Sequence, residues 1–176
     1  RRQRQMCIRD SIYGICTDTM GLTRGVTDKD VDTYSYLFKI ADKQILKALE
    51  HCSISIDDLK AYANAINSIK VCDNVSFANT GSNCPEALIA SISDFMLDLI
   101  EVDFSVVYSL KKEGIKISVR SMGKYNAGRI TNKALSGIGC GGGHEVMAGG
   151  FVPLKEGERD IDAVIGDIQE RFLRAM

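Results

Sequence analysis

The sequence has no tryptophan, only two prolines and only two histidines among its 176 residues. Its six cysteines are scattered, with no CxxC pair and no histidine-rich partner segment, so neither a zinc site nor a disulfide framework is indicated. Cys7, Cys16, Cys52, Cys72, Cys84 and Cys140 instead read as small apolar side chains in a reducing cytoplasm. No apolar run approaches the roughly 20 residues that a membrane span needs, and the first residues lack the pattern of a secretory leader. A formal net charge of −1 gives no global bias toward nucleic acid. Any anion site must therefore be local, built from a few placed side chains and backbone amides.

What is present is an ordinary globular composition, 45% hydrophobic and 26% charged, in a chain long enough for one medium domain or two small ones. The opening segment RRQRQMCIRDS stands apart, with four arginines, one aspartate and no periodicity that continues beyond it. It resembles translated sequencing-adapter read-through and is set aside from the fold; the alternative is a basic, disordered arm.

After it, Ile12–Cys16 is a short buried run ending in Thr17-Asp18-Thr19. Helical spacing of Val31, Tyr34, Leu37, Phe38, Ala41, Ile45 and Ala48 predicts a helix from Asp28 to about Leu49, capped by Thr27 or Asp28. Ser55, with Asp58 three residues on, opens a second helix to about Lys70 that reads as a connector. The rest reads as a separate α/β unit. A strand over Val75–Asn79 leads through a turn to a helix begun by Pro85. A hairpin pairs Asp103–Leu110 with Ile115–Arg120, and a small-residue helix covers Asn126–Leu135. A glycine-rich loop, an apolar stretch to Pro153 and a final helix from Asp160 complete the chain.

Three features can carry chemistry. In Gly139-Cys140-Gly141-Gly142-Gly143-His144, successive glycine N–H groups can converge on an anion, and His144 can add a hydrogen bond to the same phosphate. The plain alternative is a flexible surface turn, against which Ala148-Gly149-Gly150 argues by implying tight packing behind it. Arg120 and Ser121, at a strand end, can grip a phosphate through a bidentate guanidinium and a hydroxyl, or be ordinary surface residues. Asp18, at the end of a buried segment, can ligate a hard divalent cation, but one carboxylate does not make a two-metal site.

The blocks IYGICTDT, FANTGSNCPEALIASISDFMLDL, SVRSMGK and NAGRITNKALSGIGCGGGHEVMAGGF together resemble the DHH phosphoesterase superfamily and its DHH-associated C-terminal domain. The resemblance implies an α/β fold: the C-terminal fragment of a two-domain phosphoesterase, with a complete DHH-associated domain. Residues 12–54 would be the remnant of the metal-binding domain, 55–70 a connector helix and 71–176 the substrate-binding domain. It also implies a pair of manganese ions in the intact protein, with Asp18 as the last metal-binding aspartate. Gly141, Gly142, Gly143 and His144 would then hold the substrate phosphate, His144 also being the catalytic candidate. Arg120 and Ser121 would contact substrate, with Asn126 nearby.

The implied substrates are short oligoribonucleotides, cyclic or linear di-adenylate and 3′-phosphoadenosine 5′-phosphate. The family's other metal motifs are absent, so the chain as given is expected to bind phosphate without efficient hydrolysis. Cys140 stands where the family has Gly or Ser. Truncation would leave Ile12, Ile15, Leu37, Ile40 and Ile45 incompletely buried, favouring self-association into a homodimer. The alternative function is a non-catalytic nucleotide- or nucleic-acid-binding module similar to the tail of alanyl-tRNA synthetases.

Overall fold

The structure, a computed structural model, describes residues 2–19, 21–23, 25–42, 54–154 and 160–176. They divide into two compact units, Arg1–Ile54 and Ser55–Met176.

In the first unit, helix α1 (Arg2–Asp18) runs unbroken through the segment read as an artefact or a disordered arm. Ile8 and Ile12, one turn apart on the same helix face, are buried. Ile12 is therefore covered, against the expectation that it would lie exposed. Helix α2 (Asp28–Ile40) opens on the expected cap. Thr27 Oγ1 accepts from the Asp30 amide, while Asp30 accepts from the Thr27 amide at 2.8 Å, a reciprocal box that satisfies two otherwise orphaned donors. The helix ends earlier than its periodicity suggests. Ala41 is extended, and its N–H closes the last turn on Leu37 O. The expected continuation, with Ile45, falls in residues 43–53, outside the described residues. No residue of α2 is buried.

The second unit is a six-stranded sheet with two helices on each face. Helix α3 (Ile56–Ser68) starts at Ser55 with the Asp58 capping box. Three residues of edge strand follow, β1 (Lys70–Cys72), which the sequence reading placed in or beside the helix. Asp73, with φ +54, makes the tight turn into β2 (Val75–Ser82). Then come α4 (Glu86–Leu97), β3 (Phe104–Lys111), β4 (Gly114–Ser121), α5 (Ala127–Leu135), β5 (Cys140–Gly143), β6 (Met147–Pro153) and α6 (Ile161–Ala175). The strand order is β1-β2-β3-β4-β6-β5; β2 and β3 are parallel across the α4 crossover and every other pair is antiparallel.

Strand alternation sorts the two cores. Phe77, Val106, Tyr108, Ile117 and Val119 point into the larger one, closed by Ile130, Leu135, Ile168 and Phe172 of α5 and α6. Ala78 and Val107 point the other way, onto Ile89, Ile92 and Met96 of α4. Ala61 and Ala65 of α3 lie in that same core, so the helix read as a connector is part of the packed unit. Burial of each large side chain contributes about 2–3 kcal/mol, and Phe77, Phe104 and Phe172 are all fully buried.

Candidate functional site

The strand register brings the two C-terminal candidates to one end of the sheet. On β4, Arg120 lies opposite Met147 of β6, and the Ser121 amide donates to Val146 O at 3.0 Å. Val146 and Met147 close the turn out of β5, in which the His144 amide donates to Met147 O at 2.7 Å. Arg120 and the His144 turn thus lie at the same end of the sheet, with β6 between their strands, although more than twenty residues separate them in sequence.

The glycine segment is not the anion-gathering loop expected from its composition. Cys140–Gly143 is an extended edge strand, each residue paired with β6. Its glycines are there for packing. A Cβ on Gly141 would stand 2.8 Å from both Leu135 Cδ1 and Thr131 Cγ2, and one on Gly150 would overlap Leu135. A Cβ on Gly142 would meet nothing, because the opposite face is open. Helix α5 supports the turn through its first amides: Ala127 donates to Glu145 O at 2.7 Å and Gly128 to His144 O at 2.8 Å. Those amides are consequently committed to backbone carbonyls. Asn126 is the N-cap of α5, accepting from the Arg129 amide. His144 is exposed, and its ring has no hydrogen-bond partner among the described residues.

Arg120 is held rather than loose. Its Nε donates to Asp94 Oδ1 at 2.7 Å, and Nη1 donates to Ser118 Oγ and Val119 O. With Nε and Nη1 so engaged, Nη2 is the guanidinium nitrogen left without a partner among the described residues, which leaves no free Nε–Nη edge for the bidentate grip expected from sequence. Lys116, two pairs of residues back on β4, reaches Glu86 of α4 at 3.0 Å. Glu86, Ala90, Lys116, Ser118, Arg120 and Gly149 line a groove of about 250 Å³ over this open face. Asp94 and Glu86 were missed at the sequence level. The signal was present: acids eight apart on one helix face, cations four apart on one strand face.

Ser121 is placed otherwise than expected. Its Oγ is buried, donates to Tyr125 O at 2.7 Å and accepts from the Gly123 amide at 3.2 Å, stapling the loop into α5. Asp18 is the exposed last residue of α1, in the other unit. Among the described residues no group of three or more His, Cys, Asp or Glu side chains could hold a metal ion. The residues described do not by themselves fit the two-ion centre that the family resemblance implies. No described helix is long and apolar enough to cross a membrane.

A mixed sheet with a parallel β–α–β crossover, a glycine edge strand buttressed by α5 and an arginine at the same end of the sheet on β4 make an α/β domain of the DHH-associated class. The chain belongs to the DHHA1 domain family, whose model matches residues 57–172. Its fold is similar to that of an exopolyphosphatase-related protein from Bacteroides fragilis, with a TM-score of 0.68 and 20% identity. That likeness covers 91% of this chain and 47% of the other, so this chain spans about half the length of that relative. Weaker likenesses are to RecJ in complex with Mn2+ from Thermus thermophilus (TM-score 0.49, 13% identity, 96% of this chain and 24% of that one). The C-Ala domain of Aquifex aeolicus alanyl-tRNA synthetase gives a TM-score of 0.46 at 14% identity, over 60% of this chain and 97% of that one. No curated protein sequence matches the chain.

Proposed function

We propose that residues 55–176 are the substrate-binding domain of a metal-dependent phosphoesterase acting on short nucleotides. Short oligoribonucleotides, linear or cyclic di-adenylate and 3′-phosphoadenosine 5′-phosphate are the candidate substrates, and manganese is the metal the whole protein would use. One observation carries the reading: β4–β6 pairing sets Arg120 beside the His144 turn, on a sheet face left open by Gly142. Two hydrogen-bond donors of different geometry, an exposed imidazole and a fixed guanidinium nitrogen, then address one phosphate from the same end of the sheet. Asp94 holds the guanidinium in place, so little side-chain entropy remains to be lost on binding. The chain's described residues supply no metal ligand set of their own.

The test is calorimetric titration of the 176-residue chain with linear di-adenylate, cyclic di-adenylate and 3′-phosphoadenosine 5′-phosphate. At least one should bind, and His144→Ala should weaken it by about tenfold, the loss of one hydrogen bond to a charged group. If none of the three binds at millimolar concentration, the reading fails.

A further inference from the structure

The groove over the open sheet face is built from two charged rows that run in step. Glu86 and Asp94, eight residues apart on α4, are separated by about 12 Å along the helix axis. Lys116 and Arg120, four residues apart on β4, are separated by about 13 Å along the strand. The rows match, and each cation meets one acid. Lys116 Nζ stands 3.0 Å from Glu86 Oε1, and Arg120 Nε stands 2.7 Å from Asp94 Oδ1. Lys116 and Arg120 are the cations that line the groove among the described residues, so these pairs leave it without net charge.

The pairs are uneven in depth. The side chains of Arg120 and Lys116 are 15% and 32% exposed, against 47% for Asp94 and 69% for Glu86. The cations therefore sit in the groove and the carboxylates at its rim. Ile89, Ile117 and Ala148, all buried and apolar, line it as well and weaken the screening on that side. A phosphate entering the groove meets the two cations and, at comparable range, the two carboxylates. Attraction and repulsion nearly cancel, so a second negative charge on the phosphate adds no net attraction while it raises the cost of removing water. A phosphodiester carries one charge, whereas a phosphomonoester, with a second pKa of about 6, carries close to two at neutral pH.

We infer that Glu86 and Asp94 determine specificity, setting this groove to accept a singly charged phosphodiester in preference to a doubly charged phosphomonoester. The inference rests on the functional reading above and narrows it, placing di-adenylate ahead of 3′-phosphoadenosine 5′-phosphate. Neither carboxylate reacts; both act through the cations they neutralise. If the two pairs only fasten α4 to β4, removing their charge changes the binding of both phosphate types alike.

The probes are adenosine 5′-phosphate and its methyl ester, which share a nucleoside and differ by one charge at about pH 7.5. Each is titrated calorimetrically into the 176-residue chain and into Glu86→Gln/Asp94→Asn, which keeps the shape and the hydrogen-bond acceptors and removes the charge. The parent should bind the methyl ester about threefold more tightly than the phosphate. The double variant should tighten the ester by about threefold and the phosphate by about tenfold, because the electrostatic free energy scales with ligand charge and the factor is squared. The parent's preference then disappears. Glu86→Gln alone, at the more exposed pair, should show the same pattern at smaller size. Equal changes for the two probes, or weaker binding of both, overturn the inference and leave the pairs as a clamp. A parent that prefers the phosphate, or that binds neither probe, overturns it too. The functional reading stands or falls separately, on the di-adenylate titrations.

Discussion

Helices α2 and α4 have nearly the same length, and both show apolar residues at helical spacing, yet they end in opposite situations. α4 buries Ile89, Ile92, Ser93 and Met96 between the sheet and α3, while α2 buries nothing. Val31, Tyr36, Phe38 and Ile40 of α2 are all exposed. Periodicity says that a helix forms and which face is apolar; only a partner surface decides whether that face is covered. The second unit has that partner in its own sheet. The first, within its own described residues, has only α1.

The sharpest way to break this comparison is to remove one phenylalanine from each unit. Phe104 is fully buried, with Tyr125 edge-on at 6.1 Å and Phe172 at 6.5 Å. Phe104→Ala should cost about 3–5 kcal/mol, read as a lowered urea midpoint. Phe38→Ala, at a 44% exposed position stacked on Tyr34, should stay within about 0.5 kcal/mol. Equal losses would mean that α2 is buried as deeply as the sheet core, and the contrast would collapse.

A smaller effect separates two glycines in helices. Gly14 lies in α1 with open space where a Cβ would go, whereas a Cβ on Gly128 would overlap the Gly143 carbonyl and stand 3.0 Å from His144 O. Gly14→Ala should stabilise by up to about 1 kcal/mol through helix propensity alone. Gly128→Ala should destabilise by about 1–3 kcal/mol and weaken nucleotide binding as well, because the turn holding His144 must move. Melting temperatures of the two variants, with di-adenylate titrations beside them, check both signs. A stabilising Gly128→Ala would show that the turn is not seated on α5.

These glycines also mark where the sequence stops being readable. Turns and caps were legible because their chemistry is local: Thr27 with Asp30, Ser55 with Asp58, Pro85 before α4, Asn126 at the start of α5 and Asp160 at the start of α6 all behave as their side chains dictate. The resemblance to a DHH-associated domain was legible too, from motifs spread across β2, β4 and the glycine segment. What failed depended on distant neighbours. Glycine is a poor strand former, so a CGGG strand exists only because Leu135 and Thr131 press against it and β6 pairs with it. Ser121 looked like a ligand-binding hydroxyl, but its partner is Tyr125, four residues on across a turn whose shape the sequence does not announce. Within the candidate site, Arg120 was found and its restraint by Asp94 was not, since that pair joins a strand to a helix twenty-six residues earlier.

The smallest effect compares two exposed carboxylates and turns on pH. Asp30 in the first unit and Asp103 in the second are both held below the usual carboxylate range, Asp30 by hydrogen bonds from Thr27 and Asp103 by Lys124 and then Asn74. A carboxyl group whose folded value is depressed stabilises the fold above its unfolded value, near 3.9, and that contribution is lost as pH falls through the folded value. Both variants, Asp30→Asn and Asp103→Asn, should therefore be less stable than the parent at neutral pH and converge with it in acid. The alkaline side distinguishes them. Asp103 raises the Lys124 ammonium above the ordinary lysine value, and a raised cation stabilises below its unfolded value, near 10.4, and ceases to do so as pH climbs through the folded one. Among the described residues Asp30 has no such cation; its partner is a threonine. The parent's advantage over Asp103→Asn should thus form a plateau that falls on both sides, and its advantage over Asp30→Asn should fall only toward acid. Urea midpoints measured from pH 3 to pH 11 give the two shapes. If the Asp103→Asn difference persists unchanged into strong alkali, Lys124 is not its partner in solution, and the loop leading into α5 is held by Asn74 and Tyr125 alone.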